Sequence, residues 1–336
     1  NPHGQNYTPQ DREGVSYYKE TISGQVLQEG INELGAISSW VAAATSYSTH
    51  DLPMIPFYIF YSMFGFQRVG DMTWLAGDQQ ARGFLLGATA GRTTLNGEGL
   101  QHEDGHSHIL AGTVPNCISY DPAFAYELAV IIQDGLRRMY GPNQENIYYY
   151  LTLMNETYSQ PAMPKGVEGG ICKGIYKLLS QKGKKTKVQL LGSGTILNEV
   201  IKASEILSEE YEIGSDVYSV TSFNELTRNG QDVARQNMLN PDDKPNTPYV
   251  ADVMGNEPAI AATDYMKNYA EQIRAFIPAE SYLVLGTDGF GRSDSRENLR
   301  THFEVNRHYV VLATLSQLAE RGDVKKNMVT EAIKKY

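Results

Sequence analysis

Four short segments of this chain are apolar without alternating, and helical patterns are threaded between them. They are MIPFYIFY (54–61), GFLLGATA (83–90), CISYD (117–121) and IYYYLTL (147–153). A strand with two apolar faces has to be covered on both, and parallel neighbours need a crossover that packs back on the sheet. The intervening sequence offers such crossovers at 70–81 and in the amphipathic run 123–140. A further helix, ELGAISSWVAAATSYS, starts at Glu33 and reads as buried because its residues are small and apolar. Residues 25–27 read as a short strand, and the polar, Tyr-rich residues 1–23 as an irregular lead-in. The expected class is α/β, a parallel helix-covered sheet.

A second alternating series begins after a stretch, 156–183, that is rich in glycine and holds two prolines. Its expected strands are 187–191, 215–220, 259–262 and 282–285, and its expected helices 196–211, 265–276 and 309–321. A Pro-, Asp- and Asn-rich loop is expected at 240–248, and no internal repeat is evident. A chain of 336 residues is long enough for about two cores. The expected division is a first domain at 1–160, a connector at 161–186 and a second α/β domain at 187–336.

Charge and composition narrow the function. The net charge of -10 and the absence of a basic stripe argue against nucleic acid as a partner. The one basic run, 182–187, reads as a solvated turn. Two cysteines do not make a disulfide framework, which fits a reducing, cytoplasmic setting. No apolar stretch approaches the roughly 18 residues that span a bilayer, so no membrane partner is expected. The N-terminus is polar, lacks signal-peptide character and does not begin with Met. A processed or truncated piece of a longer protein is the expectation.

Candidate chemistry gathers in the loop 96–108, NGEGLQHEDGHSH, which directly follows a buried strand. It holds Glu98, His102, Glu103, Asp104, His106 and His108, and ligands of open α/β sheets sit at strand carboxyl ends. The His spacings also suit Zn or Fe, although three glycines favour a tight loop over one ligating face, and solvated surface polarity is a further reading. Glu33 opens the small-residue helix, where burial would raise its pKa; it equally suits the helix dipole, and Glu29 competes with it. In YSMFGFQR (61–68), aromatics belong by default to the core, while Tyr61 and Arg68 carry polar tips able to reach a pocket. The stretch 286–300, GTDGFGRSDSRENLR, suggests an anion-binding turn at a helix start through Gly289, Gly291, Arg292, Arg296 and Arg300. Gly192-Ser193-Gly194 is a weaker phosphate-loop candidate.

The strings QEGINELGA, LPMIPFYIFYSMFGFQR, GDQQARGFLLG, GRTTLNGEGLQHEDGHSH, NCISYDP, GSDVYSVTSFNEL and GTDGFGRSDSRENLR resemble, in this order and over essentially the whole chain, the C-terminal part of the homodimeric bacterial pyruvate dehydrogenases. These belong to the transketolase-like thiamine-diphosphate enzymes. The resemblance implies most of a pyrimidine-binding domain followed by a transketolase C-terminal-like domain. It implies oxidative decarboxylation of pyruvate, with the acetyl group passed to a lipoyl group of a dihydrolipoyl acetyltransferase component. Partners implied are a second copy of the chain and that component. Glu33, in the pattern Glu-Leu-Gly, matches the glutamate that faces the cofactor's aminopyrimidine and shares a proton with it. Phe64 matches the aromatic stacked on that ring, Tyr61 and Arg68 match positions lining the pocket, and His102 matches the substrate-facing histidine. His106 and His108 are weaker substrate candidates. The second domain of such enzymes carries no direct catalytic residue, which leaves 286–300 a structural or interface role. One departure is large: no Gly-Asp-Gly occurs, so the ligands of Mg2+ and of the diphosphate are expected outside this sequence. The isolated chain is then expected to bind thiamine diphosphate poorly and to be inactive. A transketolase-like or other 2-oxoacid enzyme, a non-catalytic dimerisation or docking module, and a metal hydrolase using His102, His106 and His108 are the competing readings.

Overall fold

In the computed structural model the described residues are 3–10, 13, 19–184 and 186–336, with the side chain of Glu98 left aside. The expected strand at 25–27 is absent; Val26 and Leu27 are exposed, with no neighbouring strand to pair with. Much of the lead-in 1–23 lies outside the described residues, and its described part is irregular.

Regular structure begins with the helix Glu33–Ala44. Asn32 caps it, its Oδ1 accepting from Gly35 N at 3.1 Å. Gly35 leaves room for that cap, since a Cβ there would stand 2.4 Å from Asn32 Nδ2. The helix buries Ile37, Trp40, Val41 and Ala44, while Leu34 on the other face is exposed. It is therefore half-buried, where burial was expected.

Strands β1 (Phe57–Phe60), β2 (Phe84–Ala88), β3 (Cys117–Tyr120) and β4 (Tyr148–Leu153) form one wholly parallel sheet in the order β1-β2-β4-β3. Three of them match the expected runs. β1 does not, because Pro56 has no N–H for the ladder, so pairing starts at Phe57. β1 is also an edge strand with Phe57 and Ile59 exposed, so it is not covered on both faces. The next helical stretch, Ser62–Asp78, is two helices joined across a kink at Val69; the second begins at Gly70 as expected, and the first, which was not expected, puts Phe64 and Arg68 one turn apart. The amphipathic run forms the helix Ala125–Tyr140.

The second sheet joins β5 (Ile175–Gln181), β6 (Lys187–Gly192), β7 (Gly214–Val220), β8 (Ala259–Ala262) and β9 (Tyr282–Leu285) in the order β5-β7-β6-β8-β9. All pairs are parallel except β5 with β7. β5 and the helix Glu168–Lys173 lie inside the stretch read as a connector. Its glycines belong to a helix and its turn: Gly174, at φ +104°, ends the helix and starts β5. The helices Ile196–Tyr211 and Arg307–Arg321 match expectation closely. The expected helix 265–276 shrinks to Asn268–Glu271. The helix Phe223–Leu239 was not expected, although Ser222 and Glu225 spell its start; Ser222 Oγ accepts from Glu225 N at 3.0 Å. The helix Arg296–His302 starts within 286–300, where a turn at a helix start was expected, while the helix Lys326–Lys335 was not expected. The basic run is only partly a free turn: Lys184 pairs with Glu212 and Lys187 with Asp216, while Lys185 lies outside the described residues.

The two sheets are bound together by buried polar contacts. Asp121, just after β3, donates its N–H to Thr221 O at 2.8 Å and accepts from Gly194 N at 3.1 Å. Ser222 Oγ reaches Ser119 O at 2.6 Å. Among the described residues no helix is long and apolar enough to cross a membrane.

Candidate active site

The site assembles where β1 hands over to the helix Ser62–Asp78. Tyr61 caps that helix, Phe64 lies in its first turn and Arg68 one turn later. Arg68 sends Nη1 to Glu33 Oε1 at 2.8 Å, across from the start of the neighbouring helix. Its guanidinium also lies 4.2 Å from the centre of the Phe64 ring, a cation–π contact that fixes the side chain's direction. The Glu33 side chain is 17% exposed and that of Arg68 51%, so the pair sits at the mouth of the site. Among the described residues nothing donates to Glu33 Oε2, which leaves that oxygen open to a ligand.

His102 closes the group from the other side. The loop after β2 folds into two single 3-10 turns, Asn96–Glu98 and Leu100–His102, separated by Gly99 at φ +113°. The His102 ring lies 5.0 Å from Tyr61 and 4.9 Å from Phe64, nearly edge-on to the latter. Its Nδ1 is buried and, among the described residues, has no partner. A buried ring nitrogen without a partner carries a desolvation cost that a hydrogen-bonding ligand relieves. Glu33, Tyr61, Phe64, Arg68 and His102, chosen from three separate stretches of sequence, thus stand together. Glu29 does not share Glu33's place; it accepts from Ser39 Oγ at 2.5 Å. Tyr58, whose OH reaches Glu33 O at 3.4 Å, is pushed up to about 12 by burial and by Glu33 and Glu29, so it stays a neutral donor at neutral pH.

The end of the loop is held by its own hydrogen bonds. Asp104 Oδ1 accepts from His106 N at 3.0 Å and Ser107 N at 2.9 Å, capping the helix Ser107–Gly112. His106 is the half-buried residue before that helix. His108 is fully buried, stacked on Tyr269 at 4.8 Å with Nε2 3.0 Å from Thr152 Oγ1. Burial lowers its pKa to about 4. A neutral histidine sealed among aromatic rings does not face a substrate, so the weaker expectation for His108 fails on packing grounds. Among the described residues no group of three or more His, Cys, Asp or Glu side chains is placed to hold a metal.

Two phosphate-loop expectations also meet occupied ground. Gly194 turns at φ +50° against Asp121, whose Oδ2 would lie 2.7 Å from a Cβ there, and Ser193 Oγ is bonded to Thr263 Oγ1 at 3.0 Å. In the stretch 286–300, Arg300 is paired with Glu156 and Glu199, and Arg296 bonds Thr94 O at 2.6 Å. Those guanidinium groups hold the fold and are not presented to an anion.

Contacts with the second half of the chain support the loop, and two of the residues that make them, Asp264 and Arg92, were not selected from the sequence. Asp264, after β8, accepts from Thr93 N and Oγ1 at 2.9 and 2.7 Å and from Thr94 N and Oγ1 at 3.0 and 2.6 Å. Arg92 donates to Thr287 O at 2.6 Å and to Gly289 O. Glu103 is buried, with Oε2 accepting from Arg292 N at 2.7 Å. Burial raises the Glu103 carboxyl to about 7 against the opposing pull of Arg292 N–H and Arg92.

A four-stranded parallel sheet followed by a mixed sheet with one antiparallel edge, with a Glu-Arg-aromatic-His group at the first, defines a transketolase-like α/β protein. A transketolase from Campylobacter jejuni superposes with a TM-score of 0.60 at 15% identity, over 82% of this chain and 38% of that one. A split-gene transketolase described as an inactive beta4 tetramer gives 0.56 at 15% identity, over 86% of this chain and 82% of that one. Residues 1–161 match the model of the pyruvate dehydrogenase E1 component middle domain, and residues 174–306 that of the transketolase-like C-terminal domain. The chain belongs to the pyruvate dehydrogenase E1 component family. It is 68% identical over 335 residues to the E1 component of Escherichia coli K12, and 62% identical over 336 residues to that of Pseudomonas aeruginosa. It spans 38% of the length of each of those relatives.

Proposed function

We propose that this chain forms the pyrimidine-facing and substrate-facing side of a thiamine-diphosphate enzyme that oxidatively decarboxylates pyruvate and passes the acetyl group to a lipoyl group of a dihydrolipoyl acetyltransferase. The observation that carries this reading is the juxtaposition of Glu33, Phe64 and His102. Those residues fit the cofactor: Glu33 Oε2 is open, Phe64 offers an apolar ring face, and the buried Nδ1 of His102 lacks a partner. When bound, thiamine diphosphate supplies the electron sink that accepts the electron pair left as CO2 departs. Glu33 would hold a proton at a ring nitrogen through Oε2, while Arg68 anchors Oε1 and keeps the carboxylate oriented. Phe64 and Tyr61 would exclude water from one face, and His102 would hydrogen-bond the substrate through Nδ1. Mg2+ and the diphosphate would be held by residues outside this chain. Ile31, Leu34, Phe57, Ile59 and Trp74 are apolar and each at least 46% exposed, which suits burial against a second copy. The working enzyme would then be a cytoplasmic homodimer.

The test is steady-state turnover of pyruvate by the complete enzyme carrying Glu33→Gln or His102→Ala, with assembly followed by size-exclusion chromatography. Loss of turnover by about 100-fold or more with unchanged assembly is expected for each. Turnover retained in both variants would remove the catalytic reading, and loss of assembly with turnover would favour a dimerisation module. Parallel assays with other 2-oxo acids and with sugar-phosphate donors separate this substrate from those of transketolase.

A further inference from the structure

The loop that carries His102 is anchored less by its own sheet than by the second one. At its start, both carboxylate oxygens of Asp264 receive the N–H and hydroxyl groups of Thr93 and Thr94. At its end, Met266 N donates to Gly105 O at 2.8 Å. Between these, the residue next to His102 is the buried Glu103, and its carboxylate takes the Arg292 backbone N–H at 2.7 Å. The turn that presents that N–H fits against Glu103 with no space to spare: a Cβ on Gly291 would lie 2.5 Å from Glu103 Oε2, 2.8 Å from Glu103 Cβ and 2.9 Å from Leu100 O. Among the described residues His102 itself has ring contacts and the single 3-10 bond from its N–H to Gly99 O at 3.0 Å to hold it. Nothing in that set fixes the ring's distance from the Glu33 side of the site, and the Glu103 pin supplies what is missing.

We propose that Glu103 is a positioning residue for His102, and that the Gly291–Arg292 turn of the second sheet is the abutment it acts through. This rests on the reading of His102 as substrate-facing. The second half of the chain, which places none of its side chains in the Glu33–His102 group, thereby sets the geometry of the reaction. Glu103 Oε1 is buried without a partner. Its carboxylate is therefore held by one backbone N–H, by the charge of Arg92 and by packing, and a shift of the abutment passes to the neighbouring histidine.

The experiment compares Glu103→Ala, Glu103→Gln, Gly291→Ala, His102→Ala and the double variant E103A/H102A in the complete enzyme. Each is measured for kcat and KM, melting temperature and thiamine diphosphate affinity. The 19F resonance of fluorohistidine at position 102 is read without cofactor. A misplaced group costs about 10-fold or more in rate. E103A and G291A are expected to lose about that much kcat with cofactor affinity unchanged and the position-102 resonance shifted. E103Q keeps an acceptor and the volume, and is expected to restore kcat to within roughly threefold of the parent. In the H102A background, E103A is expected to cost nothing further. Loss of melting temperature in E103A and G291A with kcat, KM and the resonance unchanged would overturn the proposal, as would an equal loss with and without His102. If H102A alone leaves turnover intact, it is the substrate-facing reading of His102 that fails.

Discussion

Replacing Asp264 by Asn exchanges one oxygen for an NH2 group and removes a charge, and the structure says what that costs. Oδ1 of Asp264 accepts two bonds from Thr93 and Oδ2 accepts two from Thr94, all in a site with no solvent exposure. An amide has one acceptor oxygen. Whichever way it is turned, the backbone N–H of Thr93 or of Thr94 loses its acceptor and faces an NH2 group. The hydroxyl of the same threonine rotates and accepts, but the N–H cannot. An unsatisfied buried N–H costs about 1–3 kcal/mol, and the surviving bonds drop from charge-assisted to neutral strength, roughly 1 kcal/mol more. The expected loss is about 2–4 kcal/mol. Urea denaturation reads it as a lower midpoint at unchanged slope for the transition that includes the loop. A loss below about 0.5 kcal/mol would refute the argument that Asp264 is the anchor of the 91–95 turn.

Three further outcomes follow from buried groups. Arg300→Ala removes the close partner of Glu156, while Glu199 keeps Arg307, and should destabilise by about 1–3 kcal/mol, read by the same denaturation; a neutral result would mean that Arg296 and solvent satisfy Glu156 unaided. Gly65→Ala would put a Cβ 1.9 Å from Phe60 Cε2, so the helix Ser62–Asp78 must shift and carry Phe64 and Arg68 with it; a cost of about 1–3 kcal/mol together with reduced turnover is expected, and an unchanged enzyme would show that Phe60 can turn away. Burial raises Asp121 and Glu103 to about 7, so the unfolded chain releases those protons first, and their contribution to stability is full in acid below their ordinary values and is lost as pH rises to about 7. His108, lowered to about 4, contributes in the opposite direction, because stability is lost as pH falls below 6.5 through about 4. Asp121→Asn should therefore flatten the fall in melting temperature between pH 5 and 7 expected from the two carboxyls, and an unchanged slope would contradict the assignment.

The fold was legible wherever a strand was buried on both faces. GFLLGATA, CISYD and IYYYLTL name β2, β3 and β4 because strands buried on both faces, whether central or, like β3, at an edge, have no polar alternation to confuse. MIPFYIFY overstated β1 because apolarity at an exposed edge looks the same in sequence as apolarity in a core. β5 was hidden among glycines that turn out to terminate and surround a helix. The site was legible in parts. Glu33, Tyr61, Phe64, Arg68 and His102 were chosen from separate strings, and the fold brings them together. The supporting shell was not legible: Asp264, Arg92 and Arg292 act through contacts spanning 170 residues or more, and no local pattern announces such partners. Spacing alone does not separate the histidines of HEDGHSH, yet His102 ends a 3-10 turn beside Tyr61 and Phe64, while His108, in the helix Ser107–Gly112, lies in the aromatic core.

The central claim is that Glu33, Phe64 and His102 surround one bound aminopyrimidine and its substrate. A crystal structure of the complete enzyme with thiamine diphosphate and a pyruvate analogue tests it most directly. The account predicts Glu33 Oε2 within about 3.2 Å of a pyrimidine nitrogen, the Phe64 ring against the pyrimidine face and the analogue on His102 Nδ1. A cofactor ring seated elsewhere, with Glu33 Oε2 still open and Nδ1 of His102 still without a partner, would contradict it.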